Sequence, residues 1–246
     1  MTAQSDLLDR YEGALLGVFG RPSLVIDHGS GAYLVDVDVR DAQQTEVTTY
    51  PVVATIELTA ASDTWMDFLG DSVQSVTVDG EPREVAYDGA RIALTGLPAV
   101  RCTIRVEARA MYSRTGEGLH RFVDPADGQT YLYTQYEPAD ARRVFPDFEQ
   151  PDLRAPFTFS LTGPDGWWFG SNQPEVSREN IADGVVRVRF AETQPLSTYI
   201  TCLCAGPYHR VSDEWEGMEL GLLCRQSLAR YLDADENGIS RVVPSL

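Results

Sequence analysis

Lysine is absent from this chain. All 20 basic residues are arginine, set against 37 aspartates and glutamates, and the net charge is −17 over 246 residues. The missing lysine reads as a GC-rich coding bias, and the acid excess as solubility. With no basic face to release phosphate counterions, nucleic acid and anionic membrane are excluded as expected partners. No segment approaches the roughly 18 consecutive apolar residues of a membrane-spanning helix. No secretory signal is legible: the first apolar stretch, Ala14 to Phe19, is short and follows Asp6, Asp9 and Glu12 in place of a basic region. Cysteine is scarce, at four. Cys202 and Cys204 sit two apart in a strand-like run, so they share a face and cannot easily bridge. The expectation is four reduced, mostly buried thiols in a cytoplasmic protein. No His/Cys pair at zinc-site spacing accompanies them. Also missing are a glycine-rich phosphate loop after a strand, a G-x-S-x-G elbow and a readable Ser/His/Asp set, so no cofactor is expected.

What the chain does have is alternation. Hydrophobic content is 43%, enough for a substantial core in one large domain or two small ones. Residues 5–19 carry helical spacing, with Leu7, Leu8, Tyr11, Ala14, Leu15, Val18 and Phe19 on one stripe, ended by Gly20 and Pro22. From there the pattern is β. Strands are predicted at 33–39, 53–59, 73–78, 91–94, 102–108, 131–135, 157–161, 185–190, 198–204 and 218–223. Asp-Gly turns at 79–80, 88–89, 127–128 and 183–184 punctuate them. One wet face per sheet suits an antiparallel sandwich better than a βαβ design. Residues 227–235 predict a short helix. The organisation expected is an N-terminal helical segment over 1–20, a β domain over 21–235 and a tail over 236–246.

Several blocks are more specific than alternation. They are Gly116-Glu-Gly-Leu-His-Arg-Phe-Val-Asp-Pro, then Tyr131-Leu-Tyr-Thr-Gln-Tyr-Glu-Pro-Ala-Asp-Ala-Arg-Arg-Val-Phe-Pro and Phe148-Glu-Gln-Pro-Asp-Leu. Further on come Ser171-Asn-Gln-Pro, Leu196-Ser-Thr-Tyr-Ile-Thr, Ala205-Gly-Pro-Tyr-His and Gly221-Leu-Leu-Cys-Arg-Gln-Ser-Leu. In order and spacing over residues 110–235 they resemble actinobacterial aminopeptidase N, a zinc metallo-aminopeptidase family. The resemblance is weaker over 1–90. It implies the saddle-shaped, mostly β N-terminal domain of that family. It also implies a zinc domain beyond this region, with an HExxH…E site. No such site lies within these residues: the histidines are His28, His120 and His209, and no two are four apart. The reading is therefore a stand-alone, zinc-free homologue of the N-terminal domain that is not itself a peptidase.

The resemblance assigns Gln135 to the pocket for a substrate's first side chain, and Glu137 to the free α-amine. Both are odd-numbered and so share a face with Tyr131 and Tyr133. Two functions from different classes follow. One is a repurposed, metal-independent acid/base enzyme of specialised metabolism doing cyclisation, isomerisation or addition. In it Glu137 acts as acid/base, His120 is a second candidate, and Gln135, Tyr133, Tyr131 and Arg142 bind substrate. The other is a non-catalytic module that binds a peptide amine, or a protein, through the former interdomain face. A homodimer would use the same face. A small molecule or a peptide is the expected ligand in either case. Asp140, Asp147, Glu149 and Asp152 are expected near Glu137, with Arg142 and Arg143 as ion-pair partners. Trp167-Trp168-Phe169 reads as packing. Residues 20–75, the most diverged, are where one wall of a new pocket is expected.

Overall fold

A computed structural model describes residues 24–26, 33–60 and 63–233. The predicted helix over 5–19, the sequence Asp27-His-Gly-Ser-Gly-Ala and the tail over 236–246 lie outside the described residues.

The strands run β1 (Leu24–Ile26), β2 (Tyr33–Asp38), β3 (Thr49–Ala60), β4 (Thr64–Asp67), β5 (Ser72–Val78), β6 (Glu81–Arg83), β7 (Arg91–Leu94) and β8 (Arg101–Met111). They continue with β9 (Gly118–Val123), β10 (Thr130–Gln135), β11 (Phe157–Pro164), β12 (Trp168–Ser171), β13 (Glu175–Ala182), β14 (Val185–Phe190), β15 (Leu203–Gly206), β16 (His209–Trp215) and β17 (Met218–Cys224). One short helix, α1 (Ala229–Asp233), closes the described chain. The mostly β expectation holds.

The largest sheet has the order β13-β14-β11-β2-β3-β8-β5-β6, with β1 alongside β3. Its centre is built by strict alternation. In β3 and β8 every second side chain is buried, so Val52, Ala54, Ile56 and Leu58 face the core opposite Ile104, Val106 and Ala108. The sheet is not purely antiparallel as expected: β11 runs parallel to β2, Phe157 pairing with Tyr33 and Leu161 with Val37. A second sheet, β12-β15-β10-β9, is antiparallel throughout. β16 with β17, and β4 with β7, form two-stranded ribbons.

Both large sheets feed one core. Leu119, Leu132, Phe169, Leu203 and Ala205 from the second sheet join Tyr33, Val35, Phe157, Phe159 and Val188 from the first. Phe145 sits edge-on to Phe157, Phe159 and Tyr136, with ring centroids 5.9–6.3 Å apart, as aromatic quadrupoles prefer.

One predicted element needs correction, and one long strand was not predicted. The strand expected over 198–204 is a 3-10 turn at Thr198–Ile200 followed by β15, because Thr201 turns its hydroxyl back onto the Thr198 carbonyl at 2.8 Å. β13 gave no signal because all but one of its residues are exposed; it is an edge strand with no apolar face. Of the cysteines only Cys102 is buried. The other three are half-buried, and none of the four forms a disulfide. Trp167 and Phe169 pack inward as expected, while Trp168 stays half-buried, edge-on to Tyr208 at 6.1 Å. No helix among the described residues is long and apolar enough to cross a membrane.

Candidate functional site

β10 lies between β9 and β15, which fixes what its two faces see. Leu132 points into the core, as does Tyr136 just past the strand end. Tyr131, Tyr133 and Gln135 take the opposite face, as the odd-even reading predicts. Tyr133 and Gln135 are exposed, and so is Glu137 just beyond the strand. The Glu137–Pro138 peptide is cis. Among the described residues, nothing hydrogen-bonds or ion-pairs with the Glu137 carboxylate or the Gln135 amide.

The four neighbouring carboxylates do not gather around Glu137. Asp140 pairs with Arg143 at 2.5 Å, and Arg143 also reaches Glu117 at 3.5 Å. Asp147 is fully buried and exchanges backbone hydrogen bonds with Asp67 on β4, at 2.8 and 3.1 Å. Glu149 turns inward. One of its oxygens accepts the Ala141 N–H at 2.8 Å, and the other lies 3.3 Å from the Arg142 guanidinium. Ala141 and Arg142 both belong to the 3-10 turn Ala141–Arg143, and the Arg142 backbone N–H donates to that second oxygen at 3.4 Å. Burial pushes the Glu149 carboxyl up to about 7, against the pull of the Ala141 N–H and Arg142 and with a smaller push from Asp67. Asp152 is exposed. These bonds staple the segment after Glu137 to β4. They also commit Arg142 to Glu149, so no described interaction joins Arg142 to Gln135 or Glu137.

His120 faces Tyr133 directly across the β9–β10 pair, with ring centroids 4.9 Å apart. Its Nδ1 accepts the Gly116 N–H at 3.0 Å. That acceptor role fixes the tautomer, so the neutral ring carries its proton on Nε2. Burial pushes the imidazole below the ordinary histidine value. Tyr131 is buried, and its hydroxyl donates to Asp127 Oδ2 at 2.8 Å and accepts the Gln226 N–H at 2.9 Å. Loss of solvent pushes its phenol up to about 12.

These contacts bring a second chain segment over β10. Ser227 donates its backbone N–H to Asp127 at 3.1 Å and its hydroxyl to buried Asp124 at 2.5 Å. Arg225 pairs with Asp124 at 3.1 Å and lies over the Phe122 ring at 4.9 Å. Between this segment and the β9–β10 face opens a groove of ≈ 450 Å³. Its floor is His120, Phe122, Tyr131 and Tyr133, its end is Tyr208, and Leu223, Cys224, Arg225 and Leu228 form its wall. No described residue of the diverged 20–75 region lines that groove; Thr45 lines a neighbouring cleft with Arg114, His120 and Phe122. The groove wall escaped sequence reasoning, although His120 and Phe122 are spaced two apart in a strand, which does place both on one face.

Among the described residues the donor set does not fit a zinc site. The three histidines are far apart in sequence, and among the described residues no three His, Cys, Asp or Glu side chains gather as ligands.

Comparison with known proteins places the region. The family described as the Peptidase M1 N-terminal domain matches residues 67–200. The chain is 43% identical over 214 residues to aminopeptidase N of Streptomyces lividans, covering 83% of this chain and 24% of that protein. It is 30% identical over 148 residues to probable aminopeptidase 1 of Saccharolobus solfataricus, covering 60% and 18%. It is 33% identical over 96 residues to human glutamyl aminopeptidase, covering 38% and 10%. The chain thus spans a quarter or less of the length of these curated relatives.

Proposed function

Given that this chain belongs to the Peptidase M1 N-terminal domain family, we propose that it is an amine-recognition module, presenting Gln135 and Glu137 as half of a binding site for the free N-terminus of a peptide. The observation that carries this is the contrast within one loop. Asp140 and Glu149 are both consumed by partners in the fold, whereas Glu137 stands exposed, ahead of the stapled segment and two residues beyond Gln135. An exposed carboxylate gains only about 0.2–1 kcal/mol from one ammonium. Such a site is weak alone and strengthens when a second surface covers it and excludes water. In relatives named aminopeptidases, that cover would be the zinc-bearing domain. The activity belongs to the assembled site, and these residues supply the grip on the amine.

The repurposed-enzyme reading rests on the same residues and on neutral His120 beside Tyr133. A general base, however, works best in a site that excludes water around the proton it takes, and Glu137 sits in solvent. Amine binding needs only its negative charge, which favours the module. A homodimer burying this face would compete with amine ligands, and binding would then weaken as protein concentration rises.

Calorimetric titration with leucinamide and with N-acetyl-leucinamide tests the proposal. The free amine should bind more tightly, and Glu137→Gln should remove up to about fivefold of that affinity. Equal binding of the two probes, or an unchanged Glu137→Gln variant, would refute it.

A further inference from the structure

The groove beside β10 has a chemistry of its own, separate from the amine edge. None of its lining residues among those described is acidic, in a chain whose net charge is −17. Five rings line it, those of Phe122, Tyr131, Tyr133 and Tyr208 with the His120 imidazole, together with Leu223 and Leu228. Planar faces opposed by aliphatic side chains suit a flat, apolar group. The free polar tips are of one kind. His120 gives up Nδ1 to Gly116, which leaves Nε2–H as a donor with no partner among the described residues. The Tyr133 hydroxyl is likewise unpartnered there, and Tyr133 is 40% exposed. Arg225 spends one terminal nitrogen on Asp124 and holds its guanidinium carbon 4.9 Å from the Phe122 ring centroid, leaving further N–H groups for a ligand.

The wall is built, not draped. Tyr131 and Asp127 bind the Gln226 and Ser227 N–H groups, and Asp124 binds both the Ser227 hydroxyl and Arg225. Asp124 is itself 2% exposed. The anchoring that fixes this segment also fixes the guanidinium, so little side-chain freedom is left to lose on binding.

We propose that this groove is a binding site for a small aromatic carboxylic acid, its ring between the tyrosines and the leucines and its carboxylate against Arg225, with His120 Nε2–H and the Tyr133 hydroxyl as neighbouring donors. A planar guanidinium beside a carboxylate makes the stronger, charge-assisted bond, and a neutral imidazole N–H adds a donor of fixed direction. The ring supplies burial, and the charge selects acid over amide.

Indole-3-acetate and its neutral counterpart indole-3-acetamide are the probes, titrated into ¹⁵N-labelled protein. Neither carries a basic amine, so the result is independent of the Glu137 reading. The acid should give saturable shifts at residues 119–123, 131–134 and 223–228, and bind about tenfold more tightly than the amide. Arg225→Gln should erase that preference. Since Arg225→Gln could also loosen the wall, His120→Phe provides a second variant: it keeps a ring in place and should weaken the acid severalfold while leaving the amide unchanged. Equal binding of acid and amide to the native protein, shifts centred elsewhere, or no saturation by either probe would overturn the proposal.

Discussion

Glu137 and Glu149 lie twelve positions apart in one connection and have opposite fates, decided by water. Glu137 ends in solvent with no partner among the described residues. Glu149 is buried, and its carboxyl is pushed up to about 7. An acid whose pKa is raised by folding binds its proton more tightly in the folded state than in the unfolded chain. Its contribution to stability is therefore full below the ordinary carboxylate range of about 4.3 and is lost as pH rises toward 7. Glu149→Gln keeps an oxygen to accept the Ala141 N–H and removes the ionisation. Relative to the native protein, this variant should gain on the order of 1–3 kcal/mol between pH 4.5 and pH 7.5. Urea unfolding at both pH values measures the gain, and parallel profiles would show that the burial penalty is not felt. Charge alone did not distinguish the two glutamates in the sequence. What separated them was the inward turn after Phe148, and no local pattern encodes that.

At the scale of elements, the site depends on the contact between the start of β9 and the 3-10 turn Ala141–Arg143. Gly118 sits opposite Gln135 in the register and has φ +63°, and an added Cβ would meet the Arg143 Cβ at 2.9 Å. Backbone and space thus both demand glycine. Gly118→Ala should destabilise the domain by about 1–3 kcal/mol and displace the turn that follows Glu137. Thermal unfolding gives the first effect, and loss of amine-probe binding at a temperature where the variant is still folded gives the second. A neutral substitution would mean that this contact does not position the loop. Strands with a dry and a wet face, such as β3, β8 and β14, were legible from alternation. β13 was not, having no buried face to advertise. The run over 198–204 misled because Thr and Ile favour strands intrinsically, while a hydroxyl-to-carbonyl bond within the turn decided the outcome. The odd-even reading of β10 succeeded because its inner residues, Leu132 and Tyr136, are core. The groove wall came from a segment about 95 residues away in sequence, a distance over which periodicity says nothing.

At the scale of the whole molecule, two sheets share one core, and the smaller sheet turns the outer face of β10 away from it. That face carries the exposed Gln135–Glu137 edge at one end and the anchored aromatic groove alongside. The core and the Asp67–Asp147–Glu149 staple hold the scaffold, and in the proposed function the exposed Gln135–Glu137 edge is left to meet the ligand. The resemblance visible in the sequence identified the family and nominated the edge. It did not reveal the groove, whose residues were scattered among blocks that signalled only lineage.

The most direct measurement of the central claim is where an amine lands. With leucinamide titrated into ¹⁵N-labelled protein, the largest amide shifts should fall at Gln135–Glu137 and Ala139–Asp140, and at one sub-saturating concentration they should shrink by up to about fivefold both with N-acetyl-leucinamide and in Glu137→Gln. Shifts of the same size and place with the acetylated probe, or in Glu137→Gln, would contradict it.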